Sequence, residues 1–171
     1  MRGLFGILDN WTELLRKAMS CLAPGGWIEI ADVCYMTASD DGSLDNAKGL
    51  RRFDAMYRKA LNLMNPDLGT VSSLYEKMVD AGFQNCSVMK RKIPVSDMSN
   101  DPELNELSKY SLEVHEIDTA IISERALQPI LNLSAKEVET VLADALSDMR
   151  DKNIHAYRFG YVFCAQKPLG A

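Results

Sequence analysis

One turn constrains what this chain can fold into more than any other feature. Pro24-Gly25-Gly26 stands between two segments of different period. Upstream, Trp11, Leu14, Leu15, Ala18 and Leu22 recur at helical spacing; downstream, Trp27-Ile28-Glu29-Ile30 runs on to Val33. Proline cannot continue a helix, and glycine takes up backbone conformations that other residues resist. The chain must therefore stop a helix and start a strand here. The near-continuous apolar run predicts that strand 27 to 33 is buried on both faces.

The remaining elements follow from pattern. Residues 34 to 43 are polar and carry Gly42 and two serines, predicting a loop. Residues 46 to 64 read as a helix that stops before Asn65-Pro66. Leu74, Met78, Ala81 and Phe83 predict a helix capped by Gly82, followed by a strand at about 85 to 92 that ends before Pro94. Residues 102 to 127 carry Leu107, Tyr110, Val114, Ile117 and Ile121 on one stripe, predicting a long helix with that stripe in the core. Ser134 and Glu137 form a capping box for a helix through Met149. From His155 to Lys167, Tyr157, Phe159, Tyr161, Phe163 and Ala165 alternate on one face, the strongest strand signal in the chain. The order is helix, strand, helices, strand, helices, strand: a single α/β domain over 1–171 with about three strands.

Composition narrows the function classes. A net charge of −5, with Lys90-Arg91-Lys92 as the densest basic run, argues against a nucleic-acid partner. No 18-residue apolar stretch predicts a membrane span. The N-terminal apolar residues are interrupted by Asp9 and Glu13 before a signal core forms. Cys21, Cys34, Cys86 and Cys164 are far apart and lack metal-ligand spacing, so reduced thiols and a cytoplasmic location are expected.

Several segments match one family in order. The segment 2–11, the run Cys21-Leu-Ala-Pro-Gly-Gly-Trp-Ile-Glu29, the stretch Met78-Val-Asp-Ala-Gly-Phe83, the helix start Leu133-Ser-Ala-Lys-Glu-Val-Glu139, and Ile154-His-Ala-Tyr157 through Gln166-Lys-Pro168 are the carriers. Together they resemble the C-terminal half of fungal secondary-metabolism class I S-adenosylmethionine (SAM) methyltransferases, the relatives of the velvet-complex regulator. The resemblance implies a partial Rossmann-like methyltransferase fold. It also implies that the half which holds the methyl donor lies upstream of the Pro-Gly-Gly turn, and only 23 residues precede Pro24. No Gly-x-Gly loop follows a predicted strand, and no acidic residue ends a second strand to hold a ribose. The expectation is a truncated methyltransferase-like chain with no cofactor and no metal.

In that family the fifth strand pairs with the fourth, so strand 27 to 33 is expected to present a bare apolar edge. Self-association is the simplest cover, which predicts a homodimer built from the helix at 11 to 22 and that strand.

Candidate site residues come from the strand end, where this fold class binds ligands, and from the long helix that corresponds to the family's substrate lid. Asp32 is a candidate acid or base, or alternatively a loop cap; Tyr35 and Tyr110 offer phenols. His115, between Glu113 and Glu116, has the side chain best suited to proton transfer near neutral pH. Ser111, His115, Asp118 and Ile122 share a helix face distinct from the apolar stripe. Met36, Arg52, Met56, Tyr57 and Ser111 are candidates for substrate binding, the methionines suiting a flat apolar ligand. His155 reads as structural. These readings predict a SAM-independent enzyme of natural-product biosynthesis performing a cyclisation, isomerisation or pericyclic step on a small apolar metabolite. The alternatives are a non-catalytic partner of a full-length methyltransferase, or a fragment of a SAM-dependent one.

Overall fold

The computed structural model describes residues 1–5, 8, 10–64, 73–96, 98 and 101–170. Its elements in chain order are α1 (Trp11–Cys21), β1 (Trp27–Ala38), a 3-10 turn (Ser43–Asn46), α2 (Lys48–Met64), α3 (Leu74–Asp80) and β2 (Gln84–Pro94), then α4 (Pro102–Ile122), a wide π-turn (Ser123–Leu127), α5 (Gln128–Leu131), α6 (Ala135–Arg150) and β3 (Tyr157–Gln166). The three strands form one sheet in the order β1-β3-β2. Both pairings are antiparallel: Gly25 and Gly26 exchange hydrogen bonds with Lys167, while Val95 N–H donates to the Ala156 carbonyl at 3.0 Å. The strand with the clearest aromatic alternation is thus the central one. The chain forms two compact units, residues 1–34, 65–91 and 160–171 in one, residues 35–64 and 92–159 in the other.

The first unit builds its core from Trp11 and Leu15 of α1, Ile28 and Ile30 of β1, Leu74 and Met78 of α3, and Phe163 and Ala165 of β3. Asn10 caps α1 by accepting from Glu13 N–H at 3.0 Å, and α3 ends at Gly82, whose φ of +90° few other residues adopt. Two sequence expectations are corrected here. β1 is not buried on both faces: Ile28 and Ile30 are buried, whereas Trp27 and Glu29 are exposed. The core lies under one face only, so the strand alternates despite its apolar run. Nor is the β1 edge bare. Arg2 bridges Ala31 in parallel, and Ala31 N–H donates to the Met1 carbonyl at 2.9 Å.

In the second unit α2 and α6 pack so closely that Gly49 is required. A Cβ at Gly49 would run into the Asp144 carbonyl of the facing helix. The contact is pinned by Leu50 N–H donating to Asp148 Oδ2 at 2.9 Å. Ala47, Leu50, Val95, Met149, Ile154 and Ala156 form the adjoining core. The Ser134–Glu137 capping box is present at the start of α6. Gly49→Ala is expected to destabilise the protein by about 1–3 kcal/mol, because backbone cannot yield as a flexible side chain would. A fall in the denaturant midpoint at unchanged slope is the check.

The expected loop at 34 to 43 is also corrected. Cys34-Tyr-Met-Thr-Ala38 continues β1, helped by Thr37 N–H donating to Asp54 Oδ2 at 2.8 Å. The largest departure concerns α4. The stripe Leu107, Tyr110, Val114, Ile117 and Ile121 is exposed, while Ser108, Ser111, His115 and Thr119 are buried. Periodicity reveals that a helix has two faces; what each face meets decides which one is buried.

A buried polar cluster as the candidate functional site

The polar face of α4 meets Arg158, the largest fully buried side chain among the described residues, at 0% exposure. Strand alternation brings it there. Tyr157 and Phe159 stack edge to face at 5.1 Å, and Arg158 between them points to the opposite side of β3. Its Nη1 lies 3.2 Å from His115 Nδ1, and its guanidinium carbon 5.2 Å from the Tyr35 ring centre. Nη2 stands 4.0 Å from Asp54 Oδ1, too far for a hydrogen bond but close for two charges. Burial pulls Arg158 below its ordinary pKa, while Asp54, Tyr35, Asp118 and Tyr57 act to keep its charge.

The tautomer of His115 follows from its neighbour. A guanidinium can only donate, so Nδ1 accepts and the neutral ring carries its proton on Nε2. Burial, then the Arg158 charge, brings the His115 pKa down to about 3. His115 is therefore a neutral imidazole at physiological pH, which corrects its reading as a group that shuttles protons near neutrality. Asp54 is shifted the other way, burial raising its carboxyl against the pull of Arg158.

The cluster is rich in unused hydrogen-bonding capacity. Among the described residues, no partner is found for Nε and Nη2 of Arg158, Oδ1 of Asp54, Nε2 of His115, or the hydroxyls of Thr37, Ser111, Thr119 and Ser123. Buried polar atoms are otherwise nearly always paired, and each orphan costs about 1–3 kcal/mol. So dense a group marks a place suited to polar atoms of a ligand or to internal water.

The predicted site residues divide accordingly. His115, Ser111, Tyr35 and Tyr57 meet in or beside the cluster; the Tyr35 hydroxyl lies 3.4 Å from Asp118, and Tyr57 packs at 5.8 Å against the Tyr35 ring. Met36 takes an Arg58 contact at 3.2 Å, and Met56 is half-buried on α2. Arg52 pairs with Asp144 at 3.7 Å, in an open depression on α2 and α6. Tyr110 is 67% exposed on the opposite side of α4. Asp32 lies in the first unit, where its carboxylate accepts from the backbone N–H groups of Leu4, Phe5 and Val33, which is a capping role. His155 pairs with Asp41 at 2.6 Å, beside a concavity of about 190 Å³ lined also by Asp40, Met98, Asp101 and Tyr157.

Arg158 and Asp54 were missed in the sequence, though a signal was present for one of them. Asp54 falls on the Leu50, Tyr57, Leu61 stripe of α2 and carried that signal; Arg158 lies on the face of β3 opposite the aromatic row, with Gly160 and Val162, and carried none. A charge at an apolar position of a strongly periodic element is the informative exception.

In the fold that the sequence resembles, the methyl donor sits on a glycine-rich turn between a strand and a helix N-terminus. β1 runs into Ser39-Asp40-Asp41-Gly42, whose two carboxylates are engaged by Lys92 and Tyr157, and by Ser43 and His155. Among the described residues no strand leads through a glycine-rich turn into a helix N-terminus, so these residues do not fit SAM.

No protein-family model matches the chain. Methyltransferase cpsF of Aspergillus campestris is 48% identical over 167 residues, covering 98% of this chain and 59% of its own length. The chain is similar over nearly all of its own length to part of several fungal methyltransferases. The protein-methionine methyltransferase laeA of Emericella nidulans is 25% identical over 168 residues, and the probable methyltransferase tdiE of the same fungus 25% over 161. The chain spans 44% and 49% of those two, so it corresponds to about half of the curated relatives it matches. Among solved structures, Haemonchus contortus phosphoethanolamine N-methyltransferase 2 in complex with S-adenosyl-L-methionine overlays at a TM-score of 0.41 and 17% identity, over 98% of this chain and 32% of that one. No helix among the described residues is long and apolar enough to cross a membrane.

Proposed function

We propose that the chain is a methyltransferase-derived, SAM-independent enzyme of natural-product biosynthesis, acting on a small apolar metabolite. The observation that carries this reading is Arg158, a buried guanidinium with Nε and Nη2 unpaired beside a neutral His115 and Asp54. Fixed donors in a water-poor site stabilise negative charge as it develops on a substrate oxygen, commonly the largest single contribution to catalysis. A cyclisation, isomerisation or pericyclic step suits them, because substrate and product share one formula and no donor is consumed. Arg158 and the Nε2–H of His115 would polarise a carbonyl, and Tyr35, Tyr57 and Met36 would hold the carbon skeleton in its reactive conformer.

The length of the relatives favours a second reading, in which these 171 residues are the substrate-handling half of a SAM-dependent methyltransferase. An in-frame glycine-rich loop in the gene upstream of Met1 would decide for the second reading, and calorimetry with SAM tests the first. The enzyme reading expects no heat of binding, whereas micromolar affinity, ~8 kcal/mol, requires a formed donor site and would overturn it. Metabolite profiles of a host with and without the gene supply the substrate. With it, Arg158→Lys is expected to slow turnover ~10²–10³-fold while the fold persists. An unchanged rate would remove Arg158 from the chemistry.

A further inference from the structure

The exposed side of α4 is a second feature, independent of the buried cluster. Leu107, Tyr110, Val114, Ile117 and Ile121 stand 42%, 67%, 55%, 55% and 47% exposed in one unbroken line. Single exposed apolar residues need no explanation, but five in register form a patch of the kind that marks an interaction site. Among the described residues the fully buried side of α4 is the polar row Ser108, Ser111, His115 and Thr119, which leaves these five on the outer side.

Their spacing specifies the shape of what covers them. The steps are three, four, three and four residues, a repeat of 3.5. That is the period of a seam between two helices, with Leu107, Val114 and Ile121 at one core position of the heptad and Tyr110 and Ile117 at the other. α4 has 21 residues, about 30 Å of helix, enough for two full heptads of contact.

The flanking charges specify the chemistry. α4 carries Glu103, Glu106, Glu113, Glu116 and Asp118 against a single Lys109. Glu106 and Glu113 occupy the position just before Leu107 and Val114, the place from which side chains reach across a helix pair, while Ala120 precedes Ile121. Glu116 is already engaged by Arg150 at 2.6 Å. A second copy of this chain is a poor occupant in either direction. Antiparallel pairing centred on Val114 sets Glu113 against its own twin, and parallel pairing sets Glu113 against Asp118.

We infer that the Leu107–Ile121 face of α4 is a docking seam for an amphipathic helix of another polypeptide, with aliphatic residues at its core positions and lysine or arginine on its flanks. The apolar seam supplies affinity, and the acidic rim supplies orientation and discrimination against acidic helices.

The probe is a fluorescein-labelled 21-residue peptide with leucine at the heptad core positions and lysine at the flanking ones, titrated into the full chain by fluorescence anisotropy. A second peptide of the same core with glutamate flanks is the control. The expected result is saturable binding of the lysine peptide, at least tenfold tighter than the glutamate peptide, weakening as salt is raised. Val114→Glu with Ile117→Glu should abolish it, with the far-ultraviolet circular dichroism and thermal midpoint of the chain retained, because both positions are exposed. Equal affinity for the two peptides, or binding that survives the double substitution, overturns the inference. So does sedimentation showing a dimer of the chain that Val114→Glu dissociates, which would give the seam to a second copy.

Discussion

Asp54→Ala is expected to destabilise the protein by about 3–5 kcal/mol, as removing one partner of a buried charge pair does. Two losses combine. Arg158, at 0% exposure, keeps its charge without the nearest carboxylate, and Thr37 N–H loses the acceptor that anchors the end of β1. The cost should fall mainly on the first. Asp54→Leu combined with Arg158→Met removes both charges while keeping comparable volume, and such replacements are often near neutral. The double variant should thus be more stable than Asp54→Leu alone, a coupling that chemical denaturation of the wild type, Asp54→Leu, Arg158→Met and the double measures. If the single substitutions simply add, Arg158 is not compensated by Asp54, and the cluster is held by its walls instead.

What the sequence disclosed and what it withheld have a common physical origin. Local chemistry was readable. The Pro24-Gly25-Gly26 stop, the Ser134 capping box, Gly82 and the alternation of β3 each depend on residues a few positions apart, and each stands as expected. Which face of an element is buried depends on a distant partner, and there the expectations failed. Neither the exposed stripe of α4 nor the one-sided burial of β1 is encoded in its own period. The candidate site shows the same division. His115 and Ser111 share a helix face legible in the sequence, whereas Asp32, expected at a ligand-binding strand end, caps backbone in the first unit, and Tyr110, expected on the lid helix, lies on its outer side. Asp54 and Arg158 lie 104 positions apart, and only the fold makes them neighbours.

The neutral state of His115 makes the stability of the protein pH-dependent in a direction that can be worked out. In the unfolded chain a histidine takes up its proton near pH 6.5, whereas in the folded protein His115 resists it until about pH 3. Between these values the unfolded state binds one more proton, so stability rises with pH, by about 1.4 kcal/mol per pH unit. The contribution is fully present above pH 6.5 and is lost progressively as pH falls towards 3, on the order of 4–5 kcal/mol in all. Two neighbours act on the same curve. Asp54, its pKa raised by burial, contributes with the opposite sign above the ordinary carboxylate range, and a guanidinium such as Arg158 does not titrate in this window. Asp41, held low by Ser43 and His155, adds a loss of stability only once pH falls to the carboxylate range. Comparison with His115→Gln isolates the histidine, because glutamine cannot titrate while the other groups remain. The stability difference between the wild-type protein and His115→Gln, followed by urea denaturation from pH 7 to pH 4, should shift against the wild type by roughly 1.4 kcal/mol for each unit below pH 6.5. A difference that stays constant with pH would mean that His115 accepts its proton in the folded state. The imidazole would then be a charged neighbour of Arg158 rather than its hydrogen-bond acceptor, and its Nε2–H would no longer be the neutral donor that the proposed chemistry uses.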